Sequence, residues 1–204
     1  MKTSYRSIKD VSEGLFKDRG SKFISFAYPV NDEEAVKSIL NDLRKQFHDA
    51  RHHCYAWKMG LEPANIRAND DGEPSNSAGK PILNQIEKYE LTNILVVVIR
   101  YFGGTLLGVG GLINAYRTAT EDAILNGKIV KRQVMKNIQI DFNYPEMNSV
   151  MRIIKEFKLK PTRQKFESSC EIDVSIPLGK LDKFIEKVSL IEGCRLKIQE
   201  NNEL

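Results

Sequence analysis

The sequence predicts an α+β protein of two domains, residues 1–133 and 134–204, and three observations support that fold class. A β-branched apolar run at 94–99 is too short to span a membrane and is typical of a buried central strand. A glycine-rich loop and a helix with one apolar face follow it. The hydrophobic pattern then restarts near Met135, after a helix stop at Gly127, which indicates a second domain.

The first domain is expected to open with a hairpin over residues 12–30 and a helix capped by Asn31. Residues 51–59 alternate as a strand, so His52 and His53 should point to opposite faces of the sheet. The stretch 60–80 is long and polar, and a loop of that length is usually functional or disordered. Pro81 then begins a short helix that leads into the central strand.

The second domain shows a regular order of elements. A strand at 137–143, a helix from Pro145, a hairpin over 158–176, a helix at 178–190 and a strand at 194–198 follow one another. This β-α-β-β-α-β order predicts a ferredoxin-like domain.

The loop after the central strand contains five glycines within nine residues: Gly103, Gly104, Gly108, Gly110 and Gly111. A strand, a glycine loop and a helix start together offer backbone N–H groups to an anion. Neither common phosphate motif fits, because a dinucleotide motif would need glycine at Ile113 and a P-loop would need lysine at Val109. The alternative is that the glycines only permit positive φ and close packing of the helix on the sheet.

Arg100 ends the buried strand, and a guanidinium there is costly unless it reaches solvent, a carboxylate or a bound anion. Asp71 and Glu73, in the long polar stretch, are the proposed carboxylate partners. We therefore expect one cleft that binds a ligand or RNA and that gathers Arg51, His53, Asp71, Glu73, Arg100, Tyr101, Gly103, Gly104, Gly108, Gly110 and Gly111.

No metal or cofactor is expected. His48 and His52 have the spacing of a helical zinc motif but lack its glutamate, and residues 70–73 fall short of a calcium loop and suit a turn better. The three cysteines are odd in number and far apart, which supports neither a disulfide framework nor a C-x-x-C site.

The chain has no secretory signal and no apolar run long enough for a membrane helix, so a cytoplasmic location is expected. Its net charge of +4 is too small to indicate nucleic acid by itself. A local excess of basic residues suits binding to the phosphate backbone of a nucleic acid, although such charged runs are more often solvated surfaces. It comprises Arg152, Lys155, Lys158, Lys160, Arg163 and Lys165.

Four motifs carry a resemblance to a known family: RHHCYAW at 51–57, DDGEP at 70–74, AGKP at 78–81 and VVVIRYFGGTLLGVGGL at 96–112. With them, the chain resembles bacterial members of the IMPACT/YigZ family. The resemblance is dense over residues 15–130 and weaker beyond.

The resemblance implies a ribosomal-protein-S5-domain-2-like α/β sandwich followed by the ferredoxin-like domain, a pair similar to domains IV and V of elongation factor G. Eukaryotic relatives regulate translation by competing for the protein that activates an initiation-factor kinase. That pathway is eukaryotic, so its partner is not carried over to this chain, and the resemblance brings no catalytic residues.

Two main hypotheses follow. The first is a non-enzymatic regulator or accessory factor of translation that binds RNA or a ribosome-associated protein. The second is an enzyme acting on a phosphate-bearing small molecule or nucleotide through the glycine loop, Asp71 and Glu73. A protein–protein adaptor is a third. The sequence contains no G-x-S-x-G or H-E-x-x-H motif, which favours binding over catalysis.

Overall fold

The computed structural model describes residues 2–61, 63–167 and 169–199. These residues form two compact units. Residues 5–132 make up the first unit, and the second combines the described residues of 133–199 with residues 2–4. Both units contain strands and helices, so the predicted α+β class is confirmed.

The first unit contains a five-stranded sheet with helices on both faces and a separate two-stranded sheet. Its strands are β1 (Ser4–Ile8), β2 (Ser12–Asp18), β3 (Ser21–Pro29), β4 (His52–Met59), β5 (Asn65–Asn69), β6 (Ile94–Tyr101) and β7 (Ile129–Gln133). Its helices are α1 (Glu33–Gln46), α2 (Gly79–Lys88) and α3 (Gly108–Asn126). The sheet order is β2-β3-β6-β4-β5 with every neighbouring pair antiparallel, while β1 pairs separately with β7.

Strand β6 is the buried centre of this sheet, as its apolar sequence predicts. Because successive side chains alternate between the faces, Leu95, Val97 and Ile99 pack in the cluster that includes α1 residues. Val96 and Val98 pack instead in the cluster that includes α2 and α3 residues. The same alternation assigns Arg100 to the α3 face and Tyr101 to the α1 face.

Two local predictions in this unit are wrong. The stretch 60–80 is not one continuous loop, because its residues Asn65–Asn69 form the edge strand β5 paired with β4. This strand is almost fully exposed, so it lacks the apolar alternation by which a strand is recognised in a sequence. Helix α1 is capped one residue later than expected, since the Asp32 carboxylate accepts a hydrogen bond from Ala35 N at 2.7 Å.

The second unit has the predicted β-α-β-β-α-β order. Its elements are β8 (Met135–Phe142), α4 (Met147–Glu156), β9 (Pro161–Phe166), β10 (Cys170–Pro177), α5 (Leu181–Ser189) and β11 (Arg195–Ile198). The four strands form an antiparallel sheet in the order β11-β8-β10-β9. One face of this sheet packs against both helices around a core that includes Ile140, Ile172 and Phe184.

Candidate functional site

A cavity of about 450 Å³ lies in the first unit where β6 ends and α3 begins. The turn that follows β5 closes one side, and the loop between β6 and α3 closes the other. Most of the lining side chains are apolar, and two are guanidinium groups. The lining residues are Arg51, His52, Glu73, Pro74, Arg100, Phe102, Leu106, Leu107, Gly108, Val109 and Leu112.

Arg100 is the buried cation of this cavity, with only 7% of its side chain exposed. Its Nη1 donates a 2.7 Å hydrogen bond to Oε1 of Glu73, whose side chain is 4% exposed. The guanidinium also lies 5.5 Å from the ring centre of Phe23 and 5.7 Å from that of Phe102. Its buried Nε has no hydrogen-bond partner within the described part of the chain. The side chain is therefore held firmly with one donor still unused.

Glu73 is held by a second donor from α3. The Tyr116 hydroxyl donates to the same Oε1 at 2.7 Å, and the Cys54 thiol lies 3.3 Å from the Tyr116 oxygen. Burial is the main cause that raises the pKa of both Tyr116 and Cys54 above their usual values. The thiol therefore stays protonated at neutral pH and is a poor nucleophile. Glu73 is occupied in holding Arg100, which makes it unsuitable as a free general base.

A tight turn determines where the two candidate carboxylates point. Asp71 and Gly72 both have positive φ, 42° and 87°, and Glu73 N donates to Asp70 O at 2.9 Å. This combination defines a type I′ turn. The Asp70 carboxylate accepts hydrogen bonds from Ala78 N at 2.9 Å and from two other backbone N–H groups, which joins the turn to the start of α2.

Asp71 and Glu73 do not share a site, which corrects the sequence prediction. Asp71 Oδ2 accepts a 2.7 Å hydrogen bond from His53 N, and its Oδ1 lies 3.5 Å from Nη2 of Arg44 on α1. Glu73 is bound on the α3 face instead. The predicted use of both carboxylates on one phosphate-bearing ligand therefore has no geometric basis.

His53 and Tyr101 also lie outside the cavity. Both belong to the α1 face, where Tyr101 donates to Asp49 Oδ1 at 2.7 Å. Burial lowers the pKa of His53 and is only partly offset by Asp71. The histidine that lines the cavity is His52, which stands directly opposite Arg100 in the β4–β6 register. Strand alternation in the sequence separates His52 from His53, but the β4–β6 register decides which of the two shares the face of Arg100.

The structure gives different reasons for glycine at different positions of the loop. Gly103 is required by packing, since a Cβ there would lie 1.9 Å from the carbonyl carbon of Gly20. Gly104 and Gly108 have φ of 86° and 70°, a region that favours glycine. Of the five, only Gly108 lines the cavity.

The remaining two glycines lie within the first turn of α3. A Cβ on Gly111 would approach Leu107 Cβ to 2.9 Å, whereas one on Gly110 would meet nothing within 4 Å. Gly110 also has no positive φ, so neither packing nor backbone conformation requires glycine there.

The sequence prediction missed an apolar surface beside the cavity, here called the apolar rim. Its members are Phe102, Leu106, Val109 and Ile113, whose exposed fractions are 51%, 81%, 53% and 39% in that order. The signal was present in the sequence, because Val109 and Ile113 are apolar but do not belong to the buried stripe of the helix.

The six basic residues of the second unit do not form one surface. Arg152 and Lys155 are on α4, Lys158 and Lys160 follow it, and Arg163 and Lys165 are on β9. Ile172 and Val174 of β10 are buried with the helices, so the residues alternating with them face the other side of the sheet.

Two of those alternating residues, Glu171 and Asp173, are acidic. Asp173 is the Cα partner of Arg163 and Glu171 that of Lys165, so each pair shares the face of the sheet that lies away from the helices. Lys165 Nζ also lies 3.2 Å from Glu167 Oε2. The predicted basic surface is therefore divided between two faces, and its strand half is opposed by carboxylates.

Within the described residues, no group of three or more His, Cys, Asp and Glu side chains could hold a metal ion. Nor does any helix in this part of the chain have the length and apolar character that crossing a membrane requires.

Comparisons with known proteins point to one family. The profile of the Impact N-terminal domain matches residues 19–124, slightly more than half of the sequence. The IMPACT family member YvyE of Bacillus subtilis is 28% identical over 97% of this chain and 91% of its own length. The IMPACT family member YigZ of Escherichia coli is 29% identical over 83% of this chain and 84% of its own. A crystal structure described as that of a hypothetical protein has a TM-score of 0.77 at 26% identity, covering 99% of this chain and 100% of that one.

Proposed function

Since this chain belongs to the IMPACT family, we propose that it is a non-enzymatic cytoplasmic regulator or accessory factor of translation that binds a ribosome-associated protein. Family membership supports the link to translation. The resemblance implies that eukaryotic members of the family regulate translation, and eukaryotic proteins named IMPACT or IMPACT homolog are among the relatives of this chain.

The observation that carries the proposal is the apolar rim beside the Arg100 cavity. Leu106 is 81% exposed and Phe102 is 51% exposed, although both are large apolar side chains. Val109 and Ile113 are one helical turn apart and extend the same surface along α3. Contiguous exposed apolar side chains around a concave centre mark interaction sites, and aromatic and arginine residues are enriched where proteins meet.

The same geometry favours a protein partner over RNA. RNA backbone binding needs several cations on one surface, and the basic residues of the second unit are divided between two faces. In the first unit, the cavity has two guanidinium groups, and one of them is already paired with Glu73. Large aliphatic side chains such as Leu106 contribute little to phosphate binding but much to a protein interface.

The residues named for an enzymatic reaction do not support one. Asp71 is bound on the α1 face, and Glu73 accepts hydrogen bonds from both Arg100 and Tyr116. A binding role uses the observed arrangement without rearranging any of these contacts.

The test is association with ribosomal fractions. The purified protein is added to a cell extract, sedimented on a sucrose gradient, and added in parallel to a cell-free translation reaction. We expect cosedimentation and an altered yield for the wild type, and loss of both for Leu106→Ser. Leu125→Ser is the matched control, because Leu125 is 62% exposed at the other end of α3.

Salt dependence separates the two kinds of partner. A contact dominated by the apolar rim should survive a rise from 50 to 200 mM salt, whereas contacts to about six or more phosphates would lose roughly a thousandfold in affinity. A wild-type protein that neither cosediments nor changes translation contradicts the proposal. A steep loss with salt assigns the association to RNA and contradicts the protein partner.

A further inference from the structure

The lining of the cavity carries a positive charge that its one carboxylate does not fully neutralise, and this favours the binding of an anion. Arg51 and Arg100 face one carboxylate, that of Glu73, so the formal charge of the lining is +1 with His52 neutral. The buried Nε of Arg100 has no partner among the described residues, and its side chain is more than nine-tenths buried. An unused donor on a buried guanidinium is unusual, because buried polar groups are nearly always hydrogen-bonded.

The start of α3 adds backbone N–H donors at the same place. Its N-cap residue Leu107 provides no side-chain hydrogen bond, and no acidic residue lies in the first turn. The first N–H groups of a helix have no partner within the helix and carry partial positive charge. Leu107 and Gly108 themselves line the cavity, so these donors lie beside the same cavity as Arg100.

The charge and the surroundings favour a carboxylate over a phosphate. A phosphomonoester group carries about −1.5 to −2 at neutral pH, and that charge would exceed the +1 of the lining and would be repelled by Glu73. A carboxylate carries one charge and accepts paired hydrogen bonds from a guanidinium. Around it, Phe102, Leu106 and Val109 offer apolar surface instead of further cations.

We propose that this cavity binds an acidic side chain of the partner protein, with its carboxylate between Arg51, Arg100 and the start of α3, and with neighbouring large apolar residues of the partner on the apolar rim. The proposal rests on the proposed function in that it assumes a protein partner. Glu73 acts as a positioning residue, because it fixes the guanidinium through a 2.7 Å hydrogen bond without reaching the partner.

Selection from a library of random dodecapeptides displayed on phage tests the proposal, because the library itself supplies the candidate ligands. We expect the full-length protein to enrich sequences in which Asp or Glu adjoins Leu, Ile, Phe or Trp. A synthetic peptide of the enriched sequence should bind at least about tenfold more tightly than the same peptide with the acid changed to its amide.

Four single variants locate the binding. Arg51→Gln and Leu106→Ser should weaken the peptide by a similar factor, because one removes a cation and the other an apolar contact. Arg67→Gln and Leu125→Ser should bind as the wild type does, since both residues are exposed outside the cavity. The double variant Arg100→Met/Glu73→Leu removes the buried charge pair without leaving either charge unpaired, and it should also lose the peptide.

Three results overturn the proposal: enriched sequences without an acid, equal affinity for the acid and amide peptides, or binding that is unchanged in Arg51→Gln. Displacement of the peptide by inorganic phosphate or oligo(U) at lower concentration than by the free peptide would also overturn it and assign the site to phosphate. These failures are separable from failure of the proposed function. If cosedimentation still depends on Leu106 while no acidic sequence is enriched, only the acidic-segment proposal fails.

Discussion

The buried pair of Arg100 and Glu73 makes a quantitative prediction about the stability of the first unit. The two side chains are 7% and 4% exposed and 2.7 Å apart, so solvent screens their interaction little. Removing one partner of such a pair leaves an unpaired buried charge and typically costs about 3–5 kcal/mol. Replacing both partners by apolar residues of similar size is often neutral. We therefore expect about 3 kcal/mol or more of destabilisation for Glu73→Leu and for Arg100→Met.

The double variant should lie within about 2 kcal/mol of the wild type. Part of that remaining loss comes from the Tyr116 hydroxyl, which loses its acceptor on Glu73 at a cost of about 1 kcal/mol. Because the two single losses would sum to about 6 kcal/mol or more while the double variant loses at most about 2 kcal/mol, the coupling between the positions should be about 4 kcal/mol or more. Tyr116→Phe measures the hydroxyl alone, and about 1 kcal/mol of destabilisation is expected.

The assay is urea unfolding followed by tryptophan fluorescence. The chain has one tryptophan, Trp57, which is 3% exposed in the core beside α1. The signal therefore reports unfolding of the first unit without a contribution from the second. Single losses below about 1 kcal/mol, or losses that simply add in the double variant, would show that the pair is not a coupled buried ion pair.

Three further predictions concern other parts of the chain. Burial lowers the pKa of His53 from about 6.5, so the unfolded chain takes up the proton first as the pH falls, and stability should fall as the pH drops below that value. In the same urea assay, His53→Asn should lose less stability than the wild type between pH 7 and 5.5, and an equal loss of stability would refute the assignment. Gly103→Ala should destabilise the protein by about 1–3 kcal/mol, because the added Cβ would overlap the backbone of Gly20 in the turn before β3. Gly110→Ala should stabilise it by about 0.5–1 kcal/mol, because the added Cβ meets no neighbouring atom and alanine favours the helix. Urea unfolding that ranks the two variants in the opposite order would contradict this reasoning. Expressed separately, residues 1–132 and 134–204 should each unfold cooperatively by circular dichroism, and two unfolded fragments would show that the predicted boundary is wrong.

Local pattern in the sequence was sufficient to predict most elements and the fold class. The continuous apolar run of β6, the apolar face of α3 and the alternating strands of the second unit are each patterns that can be read from a short stretch of sequence. The unusual position of Arg100 at the end of a buried strand also indicated that its guanidinium must reach solvent, a carboxylate or a bound anion, and in the structure it meets the carboxylate of Glu73. Strand β5 was not predictable in this way, since an exposed edge strand is held by backbone pairing and carries no apolar period.

What the sequence by itself determined is which residues alternate, where chain direction changes, and which buried charge needs a partner. Only the tertiary structure decided which of two neighbouring candidates meets Arg100. Register places His52 and not His53 opposite Arg100, and the type I′ turn directs Glu73 to one face and Asp71 to the other. The physical reason is that a shift of one residue in a strand or turn reverses the face of every side chain, while leaving composition and spacing in the sequence unchanged.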